Sequence, residues 1–600
     1  MFEAQQQALA DQIRASLASQ DLPQPEEIKW TPIPFNGEWG IATSFFQVAA
    51  QEARQGKGVN VPARAQEIAE LVAGQIGVPA GFSHVETVRG YLNLYYSTAD
   101  FSQQVVDTII QQGQDFGRGA QNGERIMVEY AQPNTHHSFH IGHYRNTILG
   151  EALARLVAFA GFETIRASYP GDIGLGVITV LWIYDKFYRG QEPEGVHERG
   201  QWLLKLYVEA TRLLTAREDE SPTEKAQREA YDAERRALLR KWDAGDPAIR
   251  QLWLETRQWS LDELEAILAL MDVDIDVWFY ESEVDEPAKQ IVEELIQLGI
   301  ANDERPQGGA VVVHIDEKLG LKKEKYRSNI LLRSDGTTLY LTKDLALAKE
   351  KFETYQVDRS VYVIDVRQSL HMQQTFAILK LWGFPQAEKC YHLGYGFVSL
   401  PEGAMSARRG LVVLFKDVAD EAIRRVLVES QTKNPDLPEE KRQQVAEQVG
   451  LGALAYAMLS IDNNKDMVFD IDAALSFDGH TGPYIQNAHV RASSILRKAG
   501  ELPQQAGFDY ELTSHEIQLI EKLSLFPAVV QQAAQEYRPL LMATYAFELA
   551  TVFHSFYHVV PVLQAESQPI RTARLHLMAA AKQVLANSLH LLAIQAPEMM

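Results

Sequence analysis

Apolar residues follow two patterns along this chain. Short apolar runs predict strands, and apolar residues at helical spacing predict helices. Residues 126–131 form a short apolar run typical of a buried strand, and Pro133 and Asn134 end it. From about Gly142 apolar residues recur at helical spacing, Gly161 ends the helix, and residues 164–169 form a second strand. The segment therefore predicts a β-loop-α-β unit with a right-handed crossover, as in doubly wound α/β sheets.

The sequence before this unit predicts a separate α/β module over residues 1–122. It begins with a polar amphipathic helix, and it contains a helix at 67–75 and an alternating strand at 91–96. Residues 115–123 are typical of a linker.

After the unit the pattern changes twice. Residues 185–272 carry long charged helices such as 223–242, whose mixed charges indicate solvated faces, so we expect them to interrupt the sheet. Strands are expected to resume at 311–314, 330–332, 338–340 and 361–364. From about residue 415 helical periodicity dominates, and it is clearest at 419–429, 441–459, 482–497, 514–537 and 570–592.

Length and composition favour a cytoplasmic protein of three or four domains. The one cysteine, Cys390, excludes an internal disulfide framework and a four-cysteine zinc site, and we expect it to be a small buried apolar residue. No apolar run approaches the length of about 18 residues needed for a membrane span, and the N-terminus has no signal-peptide core. We therefore expect no membrane partner.

The charge of the chain argues against a nucleic-acid partner when composition is taken alone. The net charge is −23, whereas nucleic-acid-binding proteins usually present a basic footprint. Residues 471–600, however, hold 8 basic and 11 acidic side chains and are nearly neutral. Seven of these basic residues could line one binding face, with salt-sensitive affinity, or they could lie scattered on solvated helices: Arg491, Arg497, Lys498, Arg538, Arg571, Arg574 and Lys582.

The turn between the first strand and its helix suits a nucleotide. Backbone N–H groups and the helix dipole favour anions at a helix N-terminus, so phosphate groups can bind there. His140 and His143 can hydrogen-bond phosphoryl oxygens and follow the charge that develops on an α-phosphate. Gly142 lacks a Cβ, which lets an adenine ring lie close to the backbone.

Two other interpretations of this turn remain open at this stage. His136, His137, His140 and His143 lie within eight residues and could bind a metal ion. Equally, exposed histidines at a helix entrance can have no function. A short motif alone does not decide among these readings.

The turn and its surroundings resemble a known enzyme family. His140-Ile141-Gly142-His143 looks like the HIGH signature of class I aminoacyl-tRNA synthetases, and its neighbourhood is similar to the arginyl-tRNA synthetases in particular. Similar blocks follow in the family's order along nearly the whole chain: VEYAQPN at 128–134, LGEALARL at 149–156, GDIG at 171–174, LRSDGT at 332–337, YLTKD at 340–344, residues 362–371, FDGHTGPY at 477–484 and the closing PEMM at 597–600.

This resemblance implies an α/β fold with three parts. A class I Rossmann-type catalytic domain with a parallel sheet is expected at 123–416, with a helical insertion at about 185–272. An additional N-terminal α/β domain at 1–122 is expected to contact the tRNA elbow, although a domain that only braces the core is the alternative. Residues 417–600 are expected to form a helical stem and an all-α, DALR-type anticodon-binding bundle.

The resemblance also implies an arginine pocket, with Asn134 and Gln368 at the α-amino and carboxylate ends of the substrate. Glu129, Tyr340 and Asp344 match the positions that hold the side chain. A guanidinium presents a planar fork of donors and always carries its charge, so a pocket that selects it needs carboxylates at fixed angles. Such a site discriminates without a separate editing domain. The alternative for Asp344 is a cap on a helix at 344–355.

The implied reaction has two steps, in which arginine attacks the α-phosphate of ATP and the terminal ribose of tRNA(Arg) then attacks the adenylate. Magnesium is expected to arrive with the nucleotide, and we expect no metal site built by the protein. The chain departs from the family at its second signature loop, where Ala404 and Ala407 replace the usual lysines. Met405 and Ser406 match the ATP-binding positions of that loop, and its remaining cations are Arg408 and Arg409.

Losing a transition-state charge contact costs about 3 to 4 kcal/mol unless another group replaces it. We therefore expect Arg408, Arg409 or His137, which stands where some family members keep a lysine, to compensate. The alternative is a tRNA- or arginine-binding paralog without useful catalysis. A histidine-cluster metalloenzyme is a third, more distant interpretation.

The C-terminal bundle carries the expected tRNA contacts of a monomeric enzyme. Tyr484 and the terminal Met600 match positions associated with the anticodon, and Arg491 is the nearby cation. Exposed aromatic rings stack on unpaired bases. For Tyr484, ordinary helix packing is the alternative, and Asn487 stands where the family often has a tyrosine.

Overall fold

The computed structural model describes residues 3–54, 60–399, 413–433 and 435–600. Its strands are β1 (Thr31–Ile33), β2 (Gly40–Ser44), β3 (Phe82–Val88), β4 (Tyr91–Tyr96), β5 (Arg125–Glu129), β6 (Glu163–Ser168), β7 (Val277–Trp278), β8 (Asn302–Asp303), β9 (Val311–His314), β10 (Ser328–Leu332), β11 (Arg359–Asp365), β12 (Cys390–Tyr395), β13 (Val398–Ser399) and β14 (Met467–Val468).

Its helices are α1 (Glu3–Ser19), α2 (Phe46–Arg54), α3 (Val61–Ile76), α4 (Thr98–Gln112), α5 (Ile141–Phe159), α6 (Leu175–Ile183), α7 (Val196–Leu214), α8 (Pro222–Asp243), α9 (Pro247–Leu270), α10 (Glu281–Gln297), α11 (Ile315–Lys318), α12 (Tyr340–Glu353), α13 (Ser369–Leu381), α14 (Phe415–Lys433), α15 (Glu439–Leu459), α16 (Ile471–Ala474), α17 (Gly482–Ala499), α18 (Ser514–Ser524), α19 (Phe526–Gln535), α20 (Pro539–Val559) and α21 (Gln568–Leu591). In the described ranges, none of them combines the length and apolar character needed to cross a bilayer.

The chain divides into two units, neither of which is one continuous stretch. The first comprises Met1–Phe116, Arg491–Leu525 and Thr551–Val584. The second comprises Gly117–Val490, Phe526–Ala550 and Leu585–Met600.

The first unit contains the predicted N-terminal α/β module. Its sheet has the order β1-β2-β4-β3, and the three pairings are antiparallel. The strand predicted at 91–96 is β4, and the helix predicted at 67–75 lies inside α3. Alternate residues of β4, such as Leu92 and Leu94, are buried, which is the signature that the sequence shows.

The second unit contains the predicted parallel sheet. Its five strands have the order β12-β11-β5-β6-β7, and all four pairings are parallel. Ile126, Met127 and Val128 of the central strand β5 are fully buried, because a parallel sheet is covered on both faces. The strand-loop-helix-strand unit predicted around 126–169 is confirmed by β5, α5 and β6.

The strand predicted at 126–131 ends earlier than expected, at Glu129. Ala131 has a left-handed backbone, with φ of 57°, and therefore cannot continue the strand. Its N–H donates to the side-chain oxygen of Asn146 at 2.6 Å, and the amide of Asn146 in turn donates to Val363 of β11. Asn146 of α5 thus joins the ends of two neighbouring strands.

One part of the strand prediction is wrong. Residues 311–314 and 330–332 do form strands, but β10-β9-β8 is a separate antiparallel sheet and does not extend the central one. Residues 338–340 are no strand, because Thr338 makes only an isolated bridge and α12 begins at Tyr340. Alternation over three residues is too short to distinguish a strand from the entrance to a helix.

The segment predicted as a helical insertion contains the helices α7, α8 and α9. Helix α8 has no buried residue and begins with a capping box between Ser221 and Glu224, as expected for a solvated helix. The apolar helix α6 packs against α7 and α9 in one hydrophobic core. The buried residues of this core include Leu181 of α6, Leu203 of α7 and Trp253 of α9.

The helices predicted in the last third are also found, with one correction. The helix predicted at 514–537 is two helices, α18 and α19, that are separated at Leu525. Pro527 explains the break, since proline has no N–H to donate to the carbonyl of Leu523 four residues earlier.

Gly150, in the middle of α5, allows the helix to pack directly on Tyr130. A Cβ at this position would lie 2.2 Å from Cγ of Tyr130. We expect Gly150→Ala to lower the free energy of unfolding by about 1 to 3 kcal/mol, although alanine is the better helix former by about 1 kcal/mol. The matched control is Gly74→Ala in α3, where nothing lies within 4 Å. Urea unfolding of both variants checks this, and an unchanged or raised midpoint for Gly150→Ala would contradict it.

Candidate active site

A cleft of about 510 Å³ lies at the carboxyl ends of the parallel strands, which is where ligands bind in open α/β sheets. Glu129 ends β5, Asp365 ends β11 and Tyr395 ends β12, and all three line it. The cleft contains every predicted ATP- and arginine-site residue outside the second signature loop: Glu129, Asn134, His140, Gly142, His143, Tyr340, Asp344 and Gln368.

The two histidines of the turn begin helix α5 as a capping pair. His140 is the N-cap, and its Nδ1 accepts hydrogen bonds from the N–H groups of Gly142 and His143 at 3.0 and 3.2 Å. Nδ1 of His143 accepts the N–H of His140 at 3.4 Å. The two rings stack with their centroids 3.6 Å apart.

Both histidines are neutral, and their tautomer follows from the capping bonds. Burial lowers the pKa of His140 to about 4, and burial together with the neighbouring imidazoles lowers the pKa of His143 well below its usual value. A neutral imidazole that accepts at Nδ1 carries its proton on Nε2. Each ring therefore presents an Nε2–H donor.

This capping corrects one expectation from the sequence. The sequence predicts that free N–H groups at the start of α5 bind phosphates, but Gly142 and His143 donate to His140, and Ile141 donates to the carbonyl of Val413. The donors available at the turn are imidazole N–H groups, because the side-chain cap satisfies the backbone ones.

Arg145 fixes the orientation of α5 behind the cleft. This side chain is almost completely buried and donates to the carbonyl of Gly396 at 2.8 Å. It also reaches the carbonyls of Asp462 and Asn463. One guanidinium thus holds the turn at residues 140–143, which we call the histidine turn, against the chain that follows β12.

Four carboxylates line the cleft, and we call them the acidic wall: Glu129, Glu281, Asp344 and Asp365. Each forms an ion pair with a basic side chain, respectively Lys351, Lys343, His371 and Arg367.

Glu129 and Lys351 are the most deeply buried of these pairs. Lys351 Nζ contacts the Glu129 carboxylate directly, and it lies 3.9 Å from the ring centroid of Tyr362. Desolvation raises the pKa of Glu129, and the charge and hydrogen bond of Lys351 oppose that rise. The aromatic face adds a second favourable contact for the buried ammonium.

Tyr340 and Asp344 lie one turn apart at the start of α12, so both face the cleft. Asp344 does not cap a helix that begins there, because α12 begins at Tyr340 and its N-cap is Leu339. That alternative is wrong. Asp344 Oδ2 lies 2.5 Å from Nε2 of His371 on α13.

Asn134 and Gln368 are exposed at the rim of the cleft. Asn134 lies in the loop after β5, and its side-chain oxygen would be 2.4 Å from a Cβ placed on Gly171. That glycine is therefore needed for the close approach of the two loops. Gln368 ends a 3-10 turn that directly follows β11.

Several side chains of the site were missed from the sequence. They are the four basic partners of the acidic wall and two of its carboxylates, Asp365 and Glu281, the second of which pairs with Lys343 at 2.8 Å. Lys343 and His371 stand in segments that resemble the family, so a signal was present, but pairing across 62 and 27 residues gives no periodic pattern to read.

Other predicted residues lie elsewhere. Met405, Ser406, Arg408 and Arg409, together with Ala404 and Ala407, lie outside the described residues. Tyr484 is half-buried and tilts on Phe547 at 5.5 Å. Met600 packs against a cluster of α14 and α15. Arg491 belongs to the first unit, where it lies 3.1 Å from His558 and over the ring of Tyr557.

The remaining histidines of the cluster have structural partners. His136 is buried, accepts or donates to Thr135 and Thr256 through its two nitrogens, and has its pKa lowered to about 3 by burial. His137 bonds the carbonyl of Thr135 and packs on Tyr207. Within the described ranges, no group of three or more histidine, cysteine, aspartate or glutamate side chains is arranged to hold a metal ion.

Cys390, predicted to be buried, begins β12 and is half-buried against the core. Desolvation raises the pKa of its thiol to about 11, so the side chain is a neutral thiol at neutral pH.

A small cavity of about 10 Å³ lies beside the loop that leads into the histidine turn, and Glu263 of α9 lines it. Glu263 is 6 % exposed, and its carboxylate packs against Gly200, where a Cβ would lie 1.7 Å from Oε2. Desolvation alone raises its pKa to about 8. The site therefore favours the neutral carboxylic acid.

We expect Glu263 to make the protein less stable as the pH rises from about 4.5 to about 8. Its folded pKa is raised above the unfolded value, so the stabilisation that is complete below the unfolded pKa is lost toward the folded pKa. The loss is on the order of 4 kcal/mol by pH 8. Unfolding midpoints measured against pH should give a flatter profile for Glu263→Gln than for wild type. The exposed neighbour Glu265→Gln is the control, and equal slopes in all three proteins would refute this expectation.

Comparisons with known proteins agree with the geometry. A family model described as tRNA synthetases class I (R), catalytic domain, matches residues 104–471. A second model, described as DALR anticodon binding domain, matches residues 485–600.

Similar proteins are found along almost the whole chain. The arginine–tRNA ligase of Bdellovibrio bacteriovorus is 37% identical over 545 residues, which cover 90% of this chain and 89% of that protein. The arginine–tRNA ligase of Bacteroides thetaiotaomicron is 32% identical, with 89% and 90% covered. The structure of Thermus thermophilus arginyl-tRNA synthetase matches with a TM-score of 0.76 and 27% identity, over 99% of this chain and 100% of that one. The predicted fold class is thereby confirmed.

Proposed function

This chain belongs to the arginyl-tRNA synthetase family of class I, as its motifs predict, and we propose that the cleft at the sheet edge carries out both steps of arginine ligation. Members of the family use ATP to join arginine to tRNA. The similarity over nine-tenths of the chain favours a ligase over the noncatalytic paralog that the altered loop suggested.

The observation that carries this proposal is that two different sets of residues meet in one cleft. The histidine turn supplies two Nε2–H donors, which suit phosphoryl oxygens. The acidic wall, with Glu129 and Asp344, suits a guanidinium. Meeting at one edge, they can bring the carboxylate of arginine within reach of the α-phosphate of ATP.

In the first step, we infer that Asn134 and Gln368 orient the amino and carboxylate groups of arginine at the rim. The carboxylate attacks the α-phosphate, and pyrophosphate leaves. His140 and His143 then donate to oxygens on which negative charge grows, which lowers the barrier. In the second step the terminal ribose hydroxyl of tRNA attacks the carbonyl of the adenylate, and AMP leaves.

We propose that magnesium enters with the nucleotide phosphates. The residues present fit this, because each carboxylate of the acidic wall is already paired with a basic side chain. Mg²⁺ commonly binds through substrate phosphates and keeps several waters. The bound ion would neutralise phosphate charge there.

We propose that the helical C-terminal part reads the anticodon through Tyr484, Arg491 and Met600, and that residues 1–122 contact the tRNA elbow. The match of residues 485–600 to an anticodon-binding domain supports the first of these. A monomer in the cytoplasm is the state that fits the single cysteine and the charge of the chain best.

The proposed site predicts that single substitutions in it strongly impair charging. His143→Ala removes an N–H donor and should lower the rate of charging by about 10² to 10³. Asp344→Ala should raise the KM for arginine by a similar factor or more, since it removes a carboxylate partner of the guanidinium. Attachment of radiolabelled arginine to bulk tRNA measures both.

The matched control is Glu353→Gln, at the exposed end of α12, which should charge like wild type. If wild type charges tRNA and both site variants do so at the same rate, the cleft is not the site of the reaction.

The altered loop generates a separate prediction. We propose that Arg408 and Arg409 replace the missing lysines as cations for the phosphates. The double variant Arg408→Ala/Arg409→Ala should lose about 10² to 10³ in charging rate. Restoring a lysine with Ala407→Lys in that background should recover part of the rate, whereas Ala407→Gln should not. Full charging by the double variant would leave His137 as the candidate, and His137→Ala would test it.

A further inference from the structure

The four ion pairs of the acidic wall differ in one respect that bears on how arginine enters. Glu129, Glu281 and Asp365 are paired with two lysines and an arginine. Lysine and arginine side chains are permanent cations at neutral pH. Asp344 is paired with His371, and imidazole is the side chain that gains or loses its charge near neutral pH.

The Asp344–His371 pair also lies within reach of a ligand. Side-chain exposure is 21% for Asp344 and 27% for His371, compared with 3% for Glu129 and 0% for its partner Lys351. Asp344 uses Oδ2 for His371, and its Oδ1 makes no hydrogen bond within the described part of the chain. Asp344, which lines the cleft, therefore has a carboxylate oxygen that is not already hydrogen-bonded.

A guanidinium that binds Asp344 brings a second positive charge to a carboxylate that can balance only one. The imidazolium of His371 and the guanidinium would then repel each other across the same group. The imidazole can relieve this by losing its Nδ1 proton, because the neutral ring still donates Nε2–H to Asp344. The side chain of Asp344 stays oriented while the competing charge leaves.

We propose that His371 is a positioning and specificity-determining residue, which holds Asp344 before a ligand binds and gives up a proton when a guanidinium binds. This inference rests on the proposed role of Asp344 in arginine binding. Its substrate-class consequence is that a cationic ligand releases a proton, whereas a neutral isostere such as the corresponding urea, citrulline, does not.

The surroundings of His371 support this linkage. Burial lowers its pKa, but the hydrogen bond and charge of Asp344 outweigh burial, so the pKa of His371 is raised above its usual value. The titratable groups that face His371 are Asp344 from α12 and His392 from β12. Arg367 lies four residues before His371 in the chain, and its guanidinium donates to Asp365. His371 therefore holds its proton more firmly before arginine arrives than a free imidazole would.

This proton release makes the affinity for arginine depend on pH. Below the pKa of His371 a bound arginine must displace a proton, so the affinity should fall as the pH falls, and the fall should approach a factor of ten in affinity per pH unit. Above that pKa the affinity should be constant. The guanidinium of arginine stays charged throughout this range, so it adds no slope of its own.

Two measurements on the full-length protein test this. Titration calorimetry of arginine, in buffers of different ionisation enthalpy between about pH 6 and pH 8, counts released protons. We expect release approaching one proton per arginine at the acidic end, and no release with citrulline. Steady-state charging over the same pH range should show the slope in KM for arginine, with kcat following a different profile.

His371→Gln is the key variant, because glutamine can still donate a hydrogen bond to Asp344 but cannot titrate. It should abolish proton release and flatten the KM profile. His392→Gln is the matched control, since it removes the neighbouring imidazole and leaves the pair intact, and it should keep both effects. A purely structural role of His371 would raise KM at every pH without changing its slope.

The outcomes separate this inference from the proposed site. Wild type that binds arginine without proton exchange, or His371→Gln that still releases a proton, overturns the role of His371. If Asp344→Asn keeps wild-type affinity for arginine, the proposed site itself is wrong. Loss of affinity in Asp344→Asn with no proton release in wild type leaves the site standing and rejects only the linkage.

Discussion

Charge compensation at the carboxyl edge of the parallel sheet is the constraint on which the rest of this site depends. A carboxylate buried there without a partner would take up a proton and lose its attraction for a cationic substrate. Lys351 and Lys343 oppose this for Glu129 and Glu281, whose pKa values burial raises, and Arg367 forms an ion pair with Asp365. They are carried by α12 and by the turn after β11, so the packing of these segments on the sheet fixes the electrostatics of the cleft. The charge distribution of the substrate pocket therefore depends on the packing of the α/β core.

The histidine turn obeys a related constraint at the other side of the cleft. A helix that begins inside a protein must satisfy its first N–H groups, and His140 and His143 do so with their own side chains. Because Nδ1 accepts the capping hydrogen bonds, the proton of each ring lies on Nε2. The same hydrogen bonds that cap the helix therefore determine which ring nitrogen can donate to a ligand. Arg145 holds the same helix from behind. Local capping, helix position and donor geometry therefore depend on each other.

The sequence predicts what is local and periodic. The strand at 126–131, the helix after Gly142 and the charged helix at 223–242 each repeat a pattern over several residues, and each is present. The errors arise where the pattern is short or the partner distant. The three residues at 338–340 could not be told from a helix entrance, and no periodicity reveals that Lys351 faces Glu129 across 222 residues. The resemblance to a family identified the residues that line the cleft, but not the side chains that keep them charged.

The acidic character of the chain can be reconciled with a polyanionic substrate by the same reasoning. Charges farther apart than about 8 Å are largely screened at physiological salt, so a net charge of −23 matters less than the surface in contact. Not every basic residue of the C-terminal part is free to make that contact. Arg574 is buried between Glu516 and Glu566 in the first unit, and Arg538 pairs with Asp462 in the second. Each basic side chain that is paired in this way is one candidate phosphate contact fewer, and fewer phosphate contacts make the salt dependence of binding shallower.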